Sequence, residues 1–389
     1  MTIDKKYIDQ FINVTSNAAI ASFHLVGKKD KIAADQAAVD AMRTELNKIN
    51  MTGEIVIGEG SLDEAPMLFT GEILGLKKGP KFDIAVDPLE GTNFAANNLP
   101  GALSVIAVAE KGNLLKAPET YMHKIATAKV EKGLIDLDYS IKKNIENLAD
   151  FKNTDPSNLT ACILDRPRHK KIIDDLTNLN VKIKLITDGD VAGALLVTKP
   201  IYNVDIYLGI GGGPEGVLAA AALDAYDCHF QGRFIFDNQK DINEAKKMGI
   251  VDLDKKYELN EIIKGDTIFC ASAITDTMAM MHITKTHMHK MYHHMMEVDK
   301  YMEQTQEICW FEAPSMIEKG LCSCNRVEMD AQMKVWRKAH REGKIFIHDY
   351  NCKTSTQAPD GKEWHFLVVQ GADLEKSWNS PIGLFLLGE

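Results

Sequence analysis

The sequence predicts an α/β protein, α+β in its first part and alternating α/β in its second. Three observations carry this prediction. Two amphipathic stretches open the chain, short Ile- and Val-rich runs with an antiparallel look follow, and later strand-like and helix-like segments alternate with glycines at their junctions. The 389 residues, 45% hydrophobic and 26% charged, are enough for two cores. The expected division is 1–155, 156–300 and a folded C-terminal extension over 301–389, packed on the preceding domains or standing alone.

The elements follow in order. From Tyr7 to His24, and from Ala34 to Ile49, apolar residues return every three or four positions, most clearly in "AADQAAVDAMRTELNKI". The period shortens at "GEIVIGEG", a strand ending at Gly58-Glu59-Gly60, where glycines permit tight geometry around a carboxylate. "KFDIAVDP" is a second strand. "ALSVIAVAEKGNLL" is a third with the start of its hairpin, turning at Lys111-Gly112. "NTDPSN" is a domain boundary or an internal loop. "LTACILDRPRHKKIIDDLTNLNVKIKLITDGDVAGALLV" then reads strand, helix, strand, helix, and "VDIYLGIGGGPEGVLAAAALDAYDC" repeats the change. "DTIFCASAI" gives one more buried strand. Past the Met/His-dense "MAMMHITKTHMHKMYHHMMEVDKYMEQTQ", "KIFIHDY" and "EWHFLVVQ" read as aromatic strands of a folded end.

Composition excludes several classes. A net charge of -10 gives no general reason to bind nucleic acid or an anionic membrane, although a basic pocket can sit inside an acidic shell. No segment is apolar for the length of a membrane span, and the opening lacks the unbroken apolar run of a secretion signal. Seven scattered cysteines suit a reduced compartment, and "CSC" at Cys322–Cys324 has no second pair at zinc-site spacing. Gly-x-x-x-x-Gly-Lys-Ser/Thr, Gly-x-Ser-x-Gly and His-Glu-x-x-His motifs are absent.

The distinctive chemistry lies in "DIAVDPLEGTNFAA". Asp87 and Glu90 at the end of a buried strand suit hard-cation ligands, with Pro88 constraining the bend and the Leu89 carbonyl available as a further oxygen. The alternative is a surface turn capped by Asp87. Gly91 and Thr92 would begin a helix whose amides can meet a phosphate. Glu59 supplies a carboxylate at another strand end, whereas Asp63 and Glu64 read equally well as a hydrated loop. Asp35, among alanines on a helix, either solvates one face or lies beneath the Asp87-Glu90 turn. Glu215 opens the helix after "GIGGGPEGV", where a carboxylate is favourable even without metal. An oxygen set with no Cys/His partners points to Mg²⁺ or Mn²⁺, more than one ion, which can hold phosphate and activate water.

Arg166 and Arg168, held apart by Pro167, can take a remote phosphate or sit in a solvated loop. Asp188 and Asp190, around Gly189, can accept from sugar hydroxyls or cap the following helix. Tyr121 can bond phosphate or pack in a core. "GIGGGPEG" is not a dinucleotide fingerprint, and Gly212 suits a place beside substrate. His24 and His123 lack decisive local partners. His282, His287, His289, His293 and His294 suit packing or an interface better than one tetrahedral site.

Taken together, "IVIGEGSLDEAPMLFTGEILG", "FDIAVDPLEGT", "APETYMHK", "DRPRH", "TDGD" and "GIGGGPEGVLAAAALDA" resemble class II fructose-1,6-bisphosphatases, the GlpX-like family. The resemblance runs from about residue 8 to 273. Asp-Pro-x-Glu-Gly-Thr alone would indicate only the wider lithium-sensitive, metal-dependent phosphatase superfamily.

The resemblance implies a layered sugar-phosphatase fold, metal roles for Asp35, Glu59, Asp87, Glu90 and Glu215, and catalytic roles for Glu59 and Thr92. It implies substrate contacts at Glu90, Gly91, Thr92, Tyr121, Arg166, Pro167, Arg168, Asp188, Gly189, Asp190 and Gly212, with Lys31 a further phosphate contact. The implied reaction is hydrolysis of the 1-phosphate of fructose 1,6-bisphosphate in cytoplasmic sugar metabolism, by a homo-oligomer, dimer or tetramer. Sedoheptulose 1,7-bisphosphate, another sugar or inositol phosphate, or noncatalytic sugar-phosphate binding are the alternatives. The resemblance fades after "SAITDTMAMM", where Thr277 replaces a family glycine and the usual basic terminal stretch is missing. That departure bears on substrate range and assembly more than on the acidic set.

Overall fold

The computed structural model describes residues 3–60 and 67–275, together with three strands, Ile345–Tyr350, Trp364–Gly371 and Leu384–Gly388. Asp63, Glu64, Thr277, the Met/His segment with its five histidines, and Cys322–Cys324 lie outside the described residues. The chain separates into two compact units, Met1–His287 and Met288–Glu389.

In the first unit, α1 (Lys6–Phe23) and α2 (Lys31–Leu46) precede β1 (Thr52–Ile57), β2 (Ile73–Leu74), β3 (Lys81–Glu90), the short α3 (Thr92–Ala96) and β4 (Leu103–Glu110). Then come β5 (Tyr121–Thr127), α4 (Ile141–Phe151), β6 (Thr160–Leu164), α5 (Lys170–Asn178), β7 (Lys182–Ile186) and α6 (Asp190–Leu195). β8 (Ile206–Gly212), α7 (Gly213–Ala225), β9 (His229–Ile235), α8 (Gln239–Lys247), β10 (Lys256–Glu258), α9 (Leu259–Ile262) and β11 (Thr267–Ala273) complete it. The first sheet has the order β11-β4-β3-β1-β2 and the second β10-β9-β5-β8-β6-β7. Both are mixed: β1–β3, β6–β7 and β6–β8 pair parallel, and the other pairs are antiparallel.

Strand alternation sets the layers. On β3 and β4, Phe82, Ile84, Val86, Ile106 and Val108 face a core with α1 and α2, while Ala85, Val105, Ala107 and Ala109 face α7. The alanine-rich face lets α7 approach closely. That helix, "GPEGVLAAAALDA", is buried nearly all round, as a helix between two sheets must be. Met122, Ala126 and Tyr207 of the second sheet close the same core, and Ile125, Ile206 and Leu208 turn away to α4 and α5. Helices, sheet, helices, sheet and helices thus stack in five layers, the mixed α/β class expected.

Two details depart from expectation. The turn at Lys111-Gly112 exists, with Gly112 at φ +91 and its amide held 2.6 Å from Asp83 Oδ2, but it closes no hairpin. β4 pairs with β3 and β11 instead, and the chain leaves for the second sheet. Sheet membership also does not follow a division at residue 155, because β5 lies in the second sheet and β11 returns to the first.

In the second unit, β12 (Ile345–Tyr350), β13 (Trp364–Gly371) and β14 (Leu384–Gly388) form an antiparallel sheet in that order. Among the described residues, no helix is long and apolar enough to cross a membrane.

Candidate active site

The five acidic residues come from four elements. Asp35 lies in the second turn of α2, Glu59 just past β1, Asp87 and Glu90 at the end of β3, and Glu215 in the first turn of α7. β3 carries a bulge: Asp87 faces Val105 and Glu90 faces Leu103, so three steps on one strand match two on the other. Gly91 follows in the left-handed region at φ +80, which a side chain would resist, and starts α3.

These carboxylates share one electrostatic neighbourhood. Burial pushes Glu59 up to about 7, helped by the charges of Asp35, Glu119 and Glu215. Burial also raises Asp87 well above the usual range, followed by the effect of Glu90, Glu59 and Glu215. Glu90, 5% exposed, is raised by burial and by Glu215 and Asp190. Asp35 and Glu215 are raised by burial as well.

The donor set fits hard divalent cations: oxygen ligands from several elements, largely desolvated, each disfavouring its neighbour's charge. Among the described residues, no three His, Cys, Asp or Glu are grouped closely enough to hold an ion as they stand. The carboxyl groups are otherwise engaged. Asp87 and Glu90 are hydrogen-bonded to each other, Leu89 N–H donates to Asp87 Oδ1 at 3.1 Å, and Val191 N–H donates to Glu90 Oε1 at 2.8 Å.

The expected substrate groups fall into two sets. Arg168 Nε–H donates to the Ile210 carbonyl at 2.9 Å and its guanidinium stands 4.7 Å over the Tyr121 ring, which is 44% exposed. Arg166 donates to the Thr187 carbonyl at 2.7 Å and lies 3.9 Å from Asp188. Pro167 opens a short 3₁₀ turn ending in buried His169, whose Nε2 accepts from Ile210 N–H at 2.8 Å. Both arginines are therefore aimed by backbone carbonyls.

Asp188 accepts from Asn93 N–H at 3.3 Å, so one early amide of α3 already has a carboxylate. Thr92 is half-buried at the helix start, Gly189 takes a left-handed conformation at φ +81, and Lys31 is exposed at the start of α2. Gly27 N–H and Lys29 N–H donate to the Ala95 and Ala96 carbonyls at 2.9 Å each, which ties the loop before Lys31 to α3.

Asp190 lies deeper than Asp188. It is buried, and its oxygens are taken by the Lys124 ammonium and the Tyr207 hydroxyl. The glycine run leaves room for neighbouring side chains. A methyl at Gly211 would stand 1.9 Å from Asp190 Oδ2, and one at Gly212 would stand 1.8 Å from Glu215 Oε2. These glycines clear space for two carboxylates.

Sequence reasoning missed Glu119 and Lys124. Glu119 is exposed and close enough to Glu59 to raise it. Lys124 had a readable signal: on β5 it shares the inward register of Met122 and Ala126, where a lysine requires a buried partner.

The chain matches the family described as bacterial fructose-1,6-bisphosphatase, glpX-encoded, over residues 5–308. Proteins named D-fructose 1,6-bisphosphatase class 2/sedoheptulose 1,7-bisphosphatase, from Prochlorococcus marinus (strain AS9601) and Thermosynechococcus vestitus, are similar to it. Each is 41% identical, over 288 and 297 residues respectively, covering 70% of this chain and 86% of the relative. A solved structure of CysQ from Bacteroides thetaiotaomicron, a bacterial member of the inositol monophosphatase family, covers 53% of this chain and 80% of its own. Its identity is 18% and its TM-score 0.30, at which the likeness carries no argument.

Proposed function

Because the chain belongs to the glpX-encoded bacterial fructose-1,6-bisphosphatase family and is a phosphoric monoester hydrolase, we propose that it removes the 1-phosphate of fructose 1,6-bisphosphate in a reaction dependent on Mg²⁺ or Mn²⁺. One observation supports this reading above the rest. Asp35, Glu59, the Asp87-Glu90 pair and Glu215, far apart in the chain, form a linked set: Asp35 acts on Glu59, Glu59 on Asp87, and Glu215 on Glu59, Asp87 and Glu90.

In this reading the five carboxylates hold the ions. Bound there, divalent cations supply charge neutralisation at the phosphate and a more acidic water. The chain's own groups do the rest. Glu59 and Thr92 orient or deprotonate the attacking water, and Gly91-Thr92 meets the phosphate at the start of α3. Arg166, Arg168 and Tyr121 hold the distal phosphate and sugar, and Lys31 lends a mobile positive charge. Fructose 6-phosphate and inorganic phosphate leave.

Sedoheptulose 1,7-bisphosphate is the second reading, favoured by the double name of the relatives. Both substrates present a phosphate at each end, so the carboxylates and the two arginines serve either. Purified protein assayed for phosphate release from each sugar, with Mg²⁺, Mn²⁺ or chelator, tests the proposal. Turnover of neither sugar with either ion would sink it; turnover unaffected by chelator would remove the cation requirement. A strong preference for the seven-carbon sugar would exchange the substrates.

A further inference from the structure

Glu72, in "TGEILG" just before β2, is only 7% exposed. Its Oε2 accepts from Leu68 N–H at 2.5 Å and its Oε1 from Arg43 Nε–H at 2.7 Å. The Leu68 carbonyl in turn accepts from Glu59 N–H at 2.9 Å. One buried carboxylate therefore fixes a residue whose other polar group holds the backbone of Glu59. Arg43 comes from the last turn of α2, about two turns after Asp35 on the same helix.

Leu68 is fully buried and sits in the left-handed region at φ +54, which costs a leucine about 1–3 kcal/mol and persists only where the surroundings impose it. The space is tight on the Glu59 side too: a methyl at Gly58 would stand 1.9 Å from the Leu68 carbonyl oxygen. A buried carboxylate is itself costly unless each oxygen finds a donor, and here one amide and one guanidinium supply them. We propose that Glu72, with Arg43 as its counter-ion, is a positioning residue that fixes the Leu68 backbone and through it the placement of Glu59 against Asp35. The inference rests on the divalent-cation reading above and assigns the geometry of that site to two side chains outside its acidic set.

The test compares the wild type with Glu72→Gln, Arg43→Ala, Arg43→Lys, Glu59→Gln and Glu59→Gln/Glu72→Gln. Each metal-free protein is melted, titrated with Mn²⁺ by calorimetry, and assayed for kcat and KM below the lowest melting midpoint. A glutamine at 72 has one oxygen and cannot accept from both donors. Glu72→Gln is expected to bind Mn²⁺ about tenfold or more weakly and to lose kcat by a similar factor, while KM for the sugar bisphosphate stays within about threefold. Arg43→Ala should lose in the same direction. Arg43→Lys should stay within about threefold of the wild type, because an ammonium can replace the single Nε–H contact.

A group that acts through Glu59 has little left to do once Glu59 is altered, so adding Glu72→Gln to Glu59→Gln should change Mn²⁺ affinity and kcat by less than about threefold. Losses that multiply in the double variant, or wild-type Mn²⁺ affinity and kcat in Glu72→Gln, would reduce Glu72 to a fold-stabilising group and overturn the proposal. If Glu72→Gln does not fold, Arg43 decides, since its side chain is 39% exposed and tolerates change: wild-type Mn²⁺ affinity in Arg43→Ala overturns the proposal. Arg43→Lys as impaired as Arg43→Ala would overturn the counter-ion assignment. Wild-type protein that binds no Mn²⁺ would remove the cation reading itself, a failure recognisable before any variant is compared.

Discussion

Asp87 and Glu90 stand three positions apart on β3, and their carboxyl groups are hydrogen-bonded to each other. On a regular strand, side chains three apart point to opposite faces. The bulge opposite Val105 and Leu103 inserts one residue and turns both to the same side. Pro88 fits there because it has no N–H to give the ladder. With both groups ionised the pair would repel, so the hydrogen bond needs a proton, which Asp87, raised well above its usual range, carries.

Making that member permanently neutral should therefore stabilise the metal-free protein. Asp87→Asn keeps an oxygen for Leu89 N–H without the cost of protonating a buried carboxyl beside Glu90, an effect on the order of 1 kcal/mol, or about 3 °C in melting temperature. The same change should abolish the rise in melting temperature that Mn²⁺ gives the wild type. Melting curves with chelator and with Mn²⁺ check both; a lower metal-free midpoint would contradict that cost.

Glu59→Gln and Thr92→Ala remove the groups proposed above to handle the attacking water. Each should lower kcat by about 100-fold or more while moving the melting temperature by no more than about 2 °C. Steady-state kinetics paired with thermal melts separate the outcomes, and equal losses of activity and fold would withdraw the assigned roles.

The two glycines before α7 should not tolerate alanine, for different reasons. Gly211→Ala must displace the buried Asp190 carboxylate and should cost about 1–3 kcal/mol of stability. Gly212→Ala displaces the Glu215 carboxylate, so its principal loss should appear in Mn²⁺ affinity. Denaturant melts and Mn²⁺ titration of both variants distinguish them; unchanged behaviour in each would mean that neither carboxylate depends on its present position.

Arg168→Lys should be nearly as harmful to substrate binding as Arg168→Ala. The planar guanidinium donates to the Ile210 carbonyl while lying over Tyr121, and an ammonium cannot do both and still face a phosphate. KM should rise about tenfold or more in both variants, with a much smaller change in kcat. Full retention of KM in Arg168→Lys would show that a point charge suffices.

The alternation of β3 and β4, the amphipathic opening helices and the alanine-rich α7 were legible because each is a local pattern. So were the strand-end carboxylates, since a buried run that stops at Asp-Pro-x-Glu-Gly-Thr is chemically unusual over a few residues. The hairpin at Lys111-Gly112 was misread for the same local reason: a turn signal states that the chain bends, not which strand it pairs with next. Asp188 and Asp190 look alike in "TDGD", yet one accepts from Asn93 N–H and lies near Arg166, while the other is buried against Lys124 and Tyr207.

The sequence by itself determined the element types, the family resemblance and the acidic residue types at strand and helix ends, because backbone preference and side-chain chemistry act over short spans. Only the tertiary structure decided which acids share a field, that Lys124 spans α6 and the end of β8, and that Gly211 and Gly212 make room for carboxylates. Those relations depend on two sheets packed across α7, and the separation of groups on different sheets is set by the volume of everything between them.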